Sequence, residues 1–325
     1  MKNIVTCKGI MGSYRLTPYS SADSLYGVFG DDRRMAKLFS ASEQSDDLTG
    51  KLTAMLEMKV SPCLNQVVTL AWPDELLYDR GRVVGYLMPR NGESIPLMQL
   101  FAGGDVKAHF GSFDFRSRVV IALNLATAVA TLHAAGVTLC RFDPSCIFLD
   151  KKGKVMLTGL EHCAFTHKNI YYPEPYCENA CCPPEGRYSE AGDCFSLAVL
   201  LFRILYGVHP FFPGGTVSEN IRTGNCPFLR DPHDARLAAY LPFHALPACL
   251  TDLFRRCFDY DEATADSSAF VRPSAKQYVQ ALMQLYLDGF RDCYRNPDHV
   301  YPAFLASCPW CALGSRRVNV KHFGK

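Results

Sequence analysis

The sequence predicts an α+β chain in two lobes, a small β-rich lobe followed by a larger, mainly helical one. Short β-type runs separated by turn residues fill the first 90 positions, a long helical pattern runs from Phe115 to Ala135, and a strand hairpin follows that helix. Alternating apolar residues between turns indicate strands, and apolar residues every three or four positions indicate helices. We place the small lobe at 1–90, the large lobe at 91–290 and a tail at 291–325.

The small lobe carries four β-type runs, at 24–29, 34–39, 66–70 and 82–87. Between the second and third runs lies one helical pattern, because Leu48, Leu52 and Met55 fall on a single helical face. Ser45 or Asp46 is available to cap its first turn. We therefore expect a small antiparallel sheet with one helix.

The large lobe begins with the long helix, and Gly136 follows it as a glycine commonly follows a helix C-terminus. Two short strands, 146–149 and 154–157, then flank the turn 150–153. Further helices are expected at about 191–207, 247–258 and 274–290.

Composition excludes several classes of partner. The net charge of this 325-residue chain is only +2 and its basic residues form no long run, so we expect neither nucleic acid nor a membrane as the main partner. The first residues lack the apolar core of a signal peptide, and no uninterrupted apolar stretch approaches the ~20 residues of a membrane span. We expect a cytoplasmic protein whose 15 cysteines are mostly reduced core residues.

A series of ordered segments resembles the protein kinases, and it implies a two-lobed protein-kinase-like fold. One segment is similar to the end of the long helix of the large lobe, and the others to the catalytic loop, the strand before the D-F-G motif, the A-P-E motif, the core helix, the turn after it, and the last arginine motif. In that order they are Leu132–Val137, Leu139–Asp150, Lys154–Glu161, Pro183–Glu185, Asp193–Ala198, Gly207–Phe211 and Arg272–Ala275. Details at 33–38, 84–90, 144–145 and 308–311 look most like bacterial kinase-like proteins of the tellurium-resistance-associated type.

The same resemblance implies that catalytic groups are missing. Arg141 stands at the position of the catalytic aspartate, Cys146 at that of the metal-binding asparagine, and Gly159 at that of the D-F-G aspartate. A guanidinium cannot accept a proton at neutral pH, and a thiol is a poor Mg²⁺ ligand because hard cations prefer oxygen. The resemblance therefore implies a pseudokinase.

The resemblance would place a nucleotide beside Lys37, Ser21, Ala22 and Met88. The segment 19–24 should supply the phosphate-binding glycines, but it contains none, and Asp23 adds a negative charge. A second alignment would use Gly9 and Gly12, at the cost of a longer distance to Lys37. ATP binding, with weak Mg²⁺ or without it, stays open.

The partner of Lys37 is undetermined by the sequence. In kinases it is a helix glutamate, and the acidic residues available here are Glu43, Asp46, Asp47 and Glu57.

Two other acidic residues leave open the alternative that the protein is an active enzyme. Asp143 and Glu161 each lie two positions after a lost acidic position, so either could rescue its function. The alternative is that Asp143 caps a turn before Pro144 and that Glu161 is solvated.

Three residues resemble structural groups of the kinase large lobe. Glu185 and Arg272 would form a buried ion pair, and Asp193 would accept hydrogen bonds from the catalytic-loop backbone. A buried charge needs such a partner, so we expect Glu185 and Arg272 in contact.

Cys308 and Cys311 have the C-x-x-C spacing of half a zinc site. Two more ligands are needed, and the sequence offers His322, Cys177, Cys181 and Cys182 without choosing among them. The alternative is a pair of packed thiols.

The leading functional hypothesis is a regulatory or protein-binding pseudokinase whose partner is another protein. The alternatives are an atypical active phosphotransferase or nucleotidyl-transferring enzyme that uses Lys37, Asp143 and Glu161, and a nucleotide-binding sensor.

Overall fold

The structure is a computed structural model. It describes residues 5–314 except 19–23, 59, 62, 65, 91, 103–105, 141, 176–180, 213, 231–236, 238–240, 242 and 261–270. Arg141, Ser21, Ala22, Cys177 and His322 therefore lie outside the described residues.

The N-terminal part of the chain is built mainly of strands. In order, its elements are β1 (Val5–Lys8), β2 (Ser13–Pro18), β3 (Leu25–Val28), β4 (Asp31–Leu38), α1 (Asp46–Glu57), β5 (Cys63–Leu64), β6 (Val68–Leu70), β7 (Glu75–Asp79) and β8 (Arg82–Pro89). Six of these strands close into an antiparallel barrel in the order β1-β2-β3-β4-β8-β7. Closure removes the exposed edges that an open sheet of this size would have.

The single helix of this part, α1, begins where the sequence predicts. Ser45 is its N-cap and accepts a hydrogen bond from the Leu48 amide at 3.1 Å. Leu52 and Met55 are fully buried on its inner face, where the Trp72 indole donates to the Met55 carbonyl at 2.8 Å. The apolar spacing of the helix thus fixes which face packs against the strands.

The C-terminal part is mainly helical. In order, its elements are β9 (Ser94–Pro96), α2 (Leu97–Phe101), α3 (Val106–Phe110), α4 (Phe115–Ala134), β10 (Val137–Thr138), β11 (Ile147–Asp150), β12 (Val155–Leu157), β13 (Ala164–His167), β14 (Ile170–Tyr172), α5 (Glu190–Tyr206), α6 (Val217–Arg222), α7 (Pro227–Arg230), α8 (Ala248–Phe258), α9 (Ala275–Asp288), β15 (Phe290–Asp292), β16 (Val300–Pro302) and α10 (Pro309–Gly314). The predicted helices and hairpin all occur, within a few residues of their expected bounds.

The long helix α4 forms the centre of this part. A capping box of Asp114 and Ser117 starts it, and Gly136 follows its end with φ +73°, a conformation that glycine adopts without strain. The helix is long and apolar enough to cross a membrane, but 56% of its apolar window is buried inside the protein. It packs against α5 and α9, as a core helix does.

One sheet joins the two halves of the chain and differs from the prediction. Its order is β5-β6-β12-β11-β9, so β6 pairs with β12 of the large-lobe hairpin, in parallel, with Leu70 opposite Leu157. The expectation that residues 66–70 join the small antiparallel sheet is therefore wrong. All three residues of β6 are buried, and such a strand does not show by its pattern which neighbour it pairs with.

Candidate functional site: the cleft beside Lys37

Lys37 lies near the end of β4 and faces the second half of the chain. Its Cα is paired with that of Tyr86 on β8, and its ammonium forms an ion pair with the Glu161 carboxylate. Glu161 lies in a 3₁₀ turn, Leu160–His162, that follows Gly159. The pair therefore ties the small lobe to the segment after the degenerate D-F-G position.

Glu161 is buried, with a side-chain exposure of 2%, so its expected solvated state is wrong. Its Oε1 accepts from Lys37, and its Oε2 accepts from the Tyr86 hydroxyl at 2.7 Å. Burial opposes ionisation, but the positive charge of Lys37 outweighs it, helped by His162, and the pKa of Glu161 lies below its usual value. Both oxygens of an ionised carboxylate are thus engaged within the protein.

None of the four acidic residues suggested as partners of Lys37 forms the observed pair. Glu43 accepts from the Ser40 amide at 2.8 Å, and Glu57 accepts from His167 at 2.8 Å and pairs with Lys168 at 2.7 Å. Asp46 and Asp47 occupy the exposed first turn of α1. The partner of Lys37 comes instead from the large lobe, 124 positions away.

The Lys37–Glu161 pair continues into a row of polar contacts. His162 Nε2 lies 3.4 Å from Glu161, and its Nδ1 lies 2.9 Å from Glu174. The other oxygen of Glu174 contacts Lys51 of α1 at 3.2 Å. Sequence reasoning missed Tyr86, His162, Glu174 and Lys51, because no local motif marks residues that meet only when the two lobes pack.

Cys146 and Gly159, expected from the resemblance at the positions of the two kinase metal ligands, lie side by side. A Cβ on Gly159 would lie 3.5 Å from Cys146 Sγ, and Thr158 donates from its amide to the Cys146 carbonyl at 2.8 Å. Burial raises the pKa of the Cys146 thiol, helped by the charge of Asp143, so the group stays neutral near pH 7. At these two positions the protein presents a neutral sulfur and a hydrogen atom, where Mg²⁺ would need oxygen.

Asp143 has the capping role that the sequence offers as the alternative to rescue. It is the N-cap of the 3₁₀ turn Pro144–Cys146 and accepts from the Ser145 amide at 2.8 Å. One oxygen of the Asp143 carboxylate is therefore hydrogen-bonded within this turn.

Among the described residues, a small cavity lies beside Phe148. It has a volume of about 20 Å³ and is lined by Leu25, Met35, Arg90, Ser94, Phe148, Met156 and Thr158. Small-molecule pockets are usually ~300–1,000 Å³, so this cavity is far too small for a nucleotide base. Met88, expected to contact a nucleotide, does not line it and is fully buried in the core.

A larger groove lies on the other side of the Lys37–Glu161 pair. It has a volume of about 750 Å³ and runs between α1 and the segment that contains β14. Tyr171, which is 63% exposed, contributes apolar surface. Its acidic lining residues are Glu43, Asp46, Asp47, Glu161 and Glu174.

The residues that resemble structural groups of the kinase large lobe make the expected contacts. Arg272 forms two parallel hydrogen bonds with Glu185, at 2.5 and 2.9 Å, and both side chains are almost fully buried. Asp193 accepts from the amides of Leu139 and Cys140, at 2.6 and 3.2 Å. These contacts hold the catalytic-loop backbone and the start of α5 in place.

The cysteines considered for a tail site separate into two places. Cys181 lies in the large-lobe core, where its carbonyl accepts from Ser196 of α5 at 2.6 Å, and Cys182 is buried beside it in the chain. Neither joins Cys308 and Cys311, which lie instead beside Cys293 and His299. The hypothesis that Cys181 or Cys182 completes a tail site is therefore wrong.

Comparisons with known proteins support the protein-kinase-like fold. The chain is 25% identical over 299 residues to the protein kinase YegI of Escherichia coli strain K12. The matched region covers 82% of this chain and 43% of YegI. It is 28% identical over 152 residues to a putative ribosomal protein S6 kinase alpha-2 of Caenorhabditis elegans, which covers 41% of this chain and 19% of that protein. The chain thus spans less than half the length of these curated relatives.

A rhoptry kinase from Toxoplasma gondii has a similar structure, with a TM-score of 0.58 at 15% identity over 88% of this chain and 84% of that one. No protein-family model matches the chain. The chain therefore has a protein-kinase-like fold, and its sequence is similar to those of protein kinases.

Proposed function

We propose that this chain is a pseudokinase, a kinase-like domain that transfers no phosphate and acts as a regulatory, protein-binding module. One observation carries the proposal: Cys146 and Gly159, which take the positions of the two kinase Mg²⁺ ligands in the resemblance, lie side by side and offer no carboxylate or amide oxygen. The Lys37 ammonium is paired with Glu161, which follows Gly159, rather than with a helix glutamate as in kinases.

The chemistry of phosphoryl transfer makes this arrangement unfavourable. Catalysis of that reaction depends on positioning and on neutralising the charge of the transferring group, largely with Mg²⁺. Cys146 and Gly159 supply no oxygen ligand, and both oxygens of Glu161 are already engaged. Metal binding there would require a carboxylate to leave two buried partners, at a cost that the site does not offset.

The active-enzyme alternative would need Asp143 as proton acceptor and Glu161 as metal ligand. One oxygen of Asp143 is held by the Ser145 amide, and both oxygens of Glu161 are held by Lys37 and Tyr86. Among the described residues, the small cavity beside Phe148 offers little room for a nucleotide base.

The test is nucleotide binding and phosphate transfer by the purified protein. ATP or GTP at 100 times its dissociation constant would stabilise the fold by about 2.7 kcal/mol, which thermal unfolding detects readily. We expect no shift with either nucleotide, with or without Mg²⁺ or Mn²⁺, and no label transferred from ATP. Lys37→Ala serves as the site variant and Lys152→Ala, on an exposed turn, as its matched control.

Different outcomes separate the alternatives. Label transfer that Lys37→Ala abolishes and Lys152→Ala preserves would establish the enzyme and refute the proposal. A metal-independent shift without transfer would establish a nucleotide sensor instead.

The groove beside α1 is the surface that we assign to the partner. Its exposed carboxylates, Glu43, Asp46 and Asp47, and its exposed tyrosine fit a peptide segment with basic and apolar side chains. Selection from a random peptide library should enrich such sequences on the wild type and lose them on an Asp46→Asn, Asp47→Asn variant. Equal enrichment on both proteins would place the partner surface elsewhere.

The compartment proposed is the cytoplasm. In the part of the chain that the structure describes, the cysteines are free thiols, which a reducing compartment maintains.

A further inference from the structure

Four potential metal ligands converge in the segment that follows α9. Cys293 comes directly after β15, and His299 comes directly before β16. Cys308 precedes α10, and Cys311 lies in its first turn. The hairpin and the short helix thus bring together four residues with the spacing C-x₅-H-x₈-C-x₂-C. Of these four, the local sequence pattern suggested only Cys308 and Cys311.

Three of the distances between the ligand atoms are those of a tetrahedral site. Cys293 Sγ lies 3.6 Å from Cys311 Sγ, and His299 Nδ1 lies 3.4 Å from Cys308 Sγ and 3.6 Å from Cys311 Sγ. All four atoms lie within 4.8 Å of one another. Zinc bonds of about 2.3 Å to sulfur and 2.0–2.1 Å to nitrogen require separations of about 3.5–3.8 Å at the corners of a tetrahedron.

Neither a disulfide nor a packed pair of thiols would involve all four residues. A disulfide between Cys293 and Cys311 would need sulfur atoms about 2.05 Å apart, and it would give no role to Cys308 and His299. A packed pair of thiols does not require an imidazole nitrogen aimed at two sulfurs. Three thiolates and one imidazole form a soft ligand set that favours zinc over Mg²⁺ or Ca²⁺.

The surroundings of the site indicate what a metal would do there. The segment from 289 to 314 has a small core of its own, formed by Cys293, Tyr301 and Cys308. Segments shorter than ~40 residues usually need a metal or a disulfide to hold their shape. Trp310 lies between the site and α4, with ring centroids 5.8 Å from His299 and 5.5 Å from Phe115.

We propose that Cys293, His299, Cys308 and Cys311 bind one zinc ion, which crosslinks the hairpin β15–β16 to α10 and anchors this segment on the first turn of α4. Four protein ligands fill the tetrahedron and leave no open position, so the zinc is structural. With Nδ1 facing the two sulfurs, the other ring nitrogen of His299 lies 3.2 Å from the side-chain amide nitrogen of Asn296.

The test is elemental analysis of the full chain purified without chelators. We expect about one zinc per chain in the wild type, lost in Cys293→Ser and in Cys308→Ser. Cys249→Ser, which removes an exposed thiol elsewhere, is the matched control and should keep the metal.

A second measurement keeps the proposal falsifiable if a variant fails to fold. Wild-type protein stripped of metal and titrated with Co²⁺ should show the visible absorption of tetrahedral thiolate coordination, saturating at about one equivalent. Absence of both zinc and this spectrum, or a Cys293–Cys311 disulfide in freshly purified protein, would overturn the proposal.

Discussion

The ion pair between Lys37 and Glu161 is buried asymmetrically, and that asymmetry predicts unequal effects of mutation. The side chain of Lys37 is 15% exposed, whereas that of Glu161 is 2% exposed. Lys37→Met would leave an ionised Glu161 in the interior with only Tyr86 and His162 nearby. Stranding one partner of a buried pair typically costs about 3–5 kcal/mol, and we expect this variant to lie in that range.

Glu161→Gln should cost less. Its amide oxygen can still accept from Tyr86 or Lys37, and the Lys37 ammonium is near enough to the surface to reach water. We expect a loss of about 1–3 kcal/mol, the scale of one hydrogen bond to a charged group.

The double variant Lys37→Met, Glu161→Gln distinguishes the interaction energy of the ion pair from the separate destabilising effects of the two substitutions. Because it buries no uncompensated charge, it should be more stable than the sum of the single variants predicts, by about 1–3 kcal/mol. The free energy of unfolding is measured by denaturant titration with tryptophan fluorescence, since Trp72 lies in the core next to α1. Lys152→Met is the matched control on an exposed turn.

Two results would refute this reasoning. One is additivity of the single variants within about 0.5 kcal/mol, which would mean that the two side chains are energetically independent. The other is a Lys37→Met variant no less stable than Lys152→Met, which would mean that Glu161 is not held as a buried anion.

Two further predictions concern the large lobe and pH. Glu185→Ala should destabilise the fold by about 3–5 kcal/mol, because it strands the buried Arg272; an unfolding free energy within about 1 kcal/mol of the wild type would contradict this. Burial raises the pKa of Glu161 and Glu174, but the charge of Lys37 lowers that of Glu161 and the hydrogen bond with His162 lowers that of Glu174, so both pKa values lie below the usual one. Their stabilisation is therefore complete above about pH 4.5 and is lost as pH falls through the lowered values. Burial raises the pKa of Asp193, so protonation of this group changes stability with pH in the opposite direction. The measurement is therefore the difference in the pH dependence of unfolding between the wild type and Glu161→Gln. Equal acid sensitivity of the two proteins would contradict the prediction.

The features of the site that the sequence predicted depend on residues that lie close together in the chain. The spacing of Cys146 and Gly159 within the kinase-like motifs put both at metal-binding positions, and the structure brings them into contact. The capping of a turn by Asp143 is also local, because the bond closes over two residues. What sequence missed was the environment of Glu161, whose partners lie 75 and 124 positions away.

The sequence by itself determined the protein-kinase-like fold, because the motifs that predict it are residue types at fixed spacing along the chain. The loss of catalytic residues is a prediction from the same spacing. Tertiary structure decided which charges meet: Lys37 pairs with Glu161 rather than with a helix glutamate, and β6 joins the large-lobe hairpin. It also completed the half-site of Cys308 and Cys311 with Cys293 and His299. These pairings depend on distances between segments that are far apart in the chain, and no local pattern encodes such distances. A buried charge needs a partner, and packing determines which side chain lies within reach.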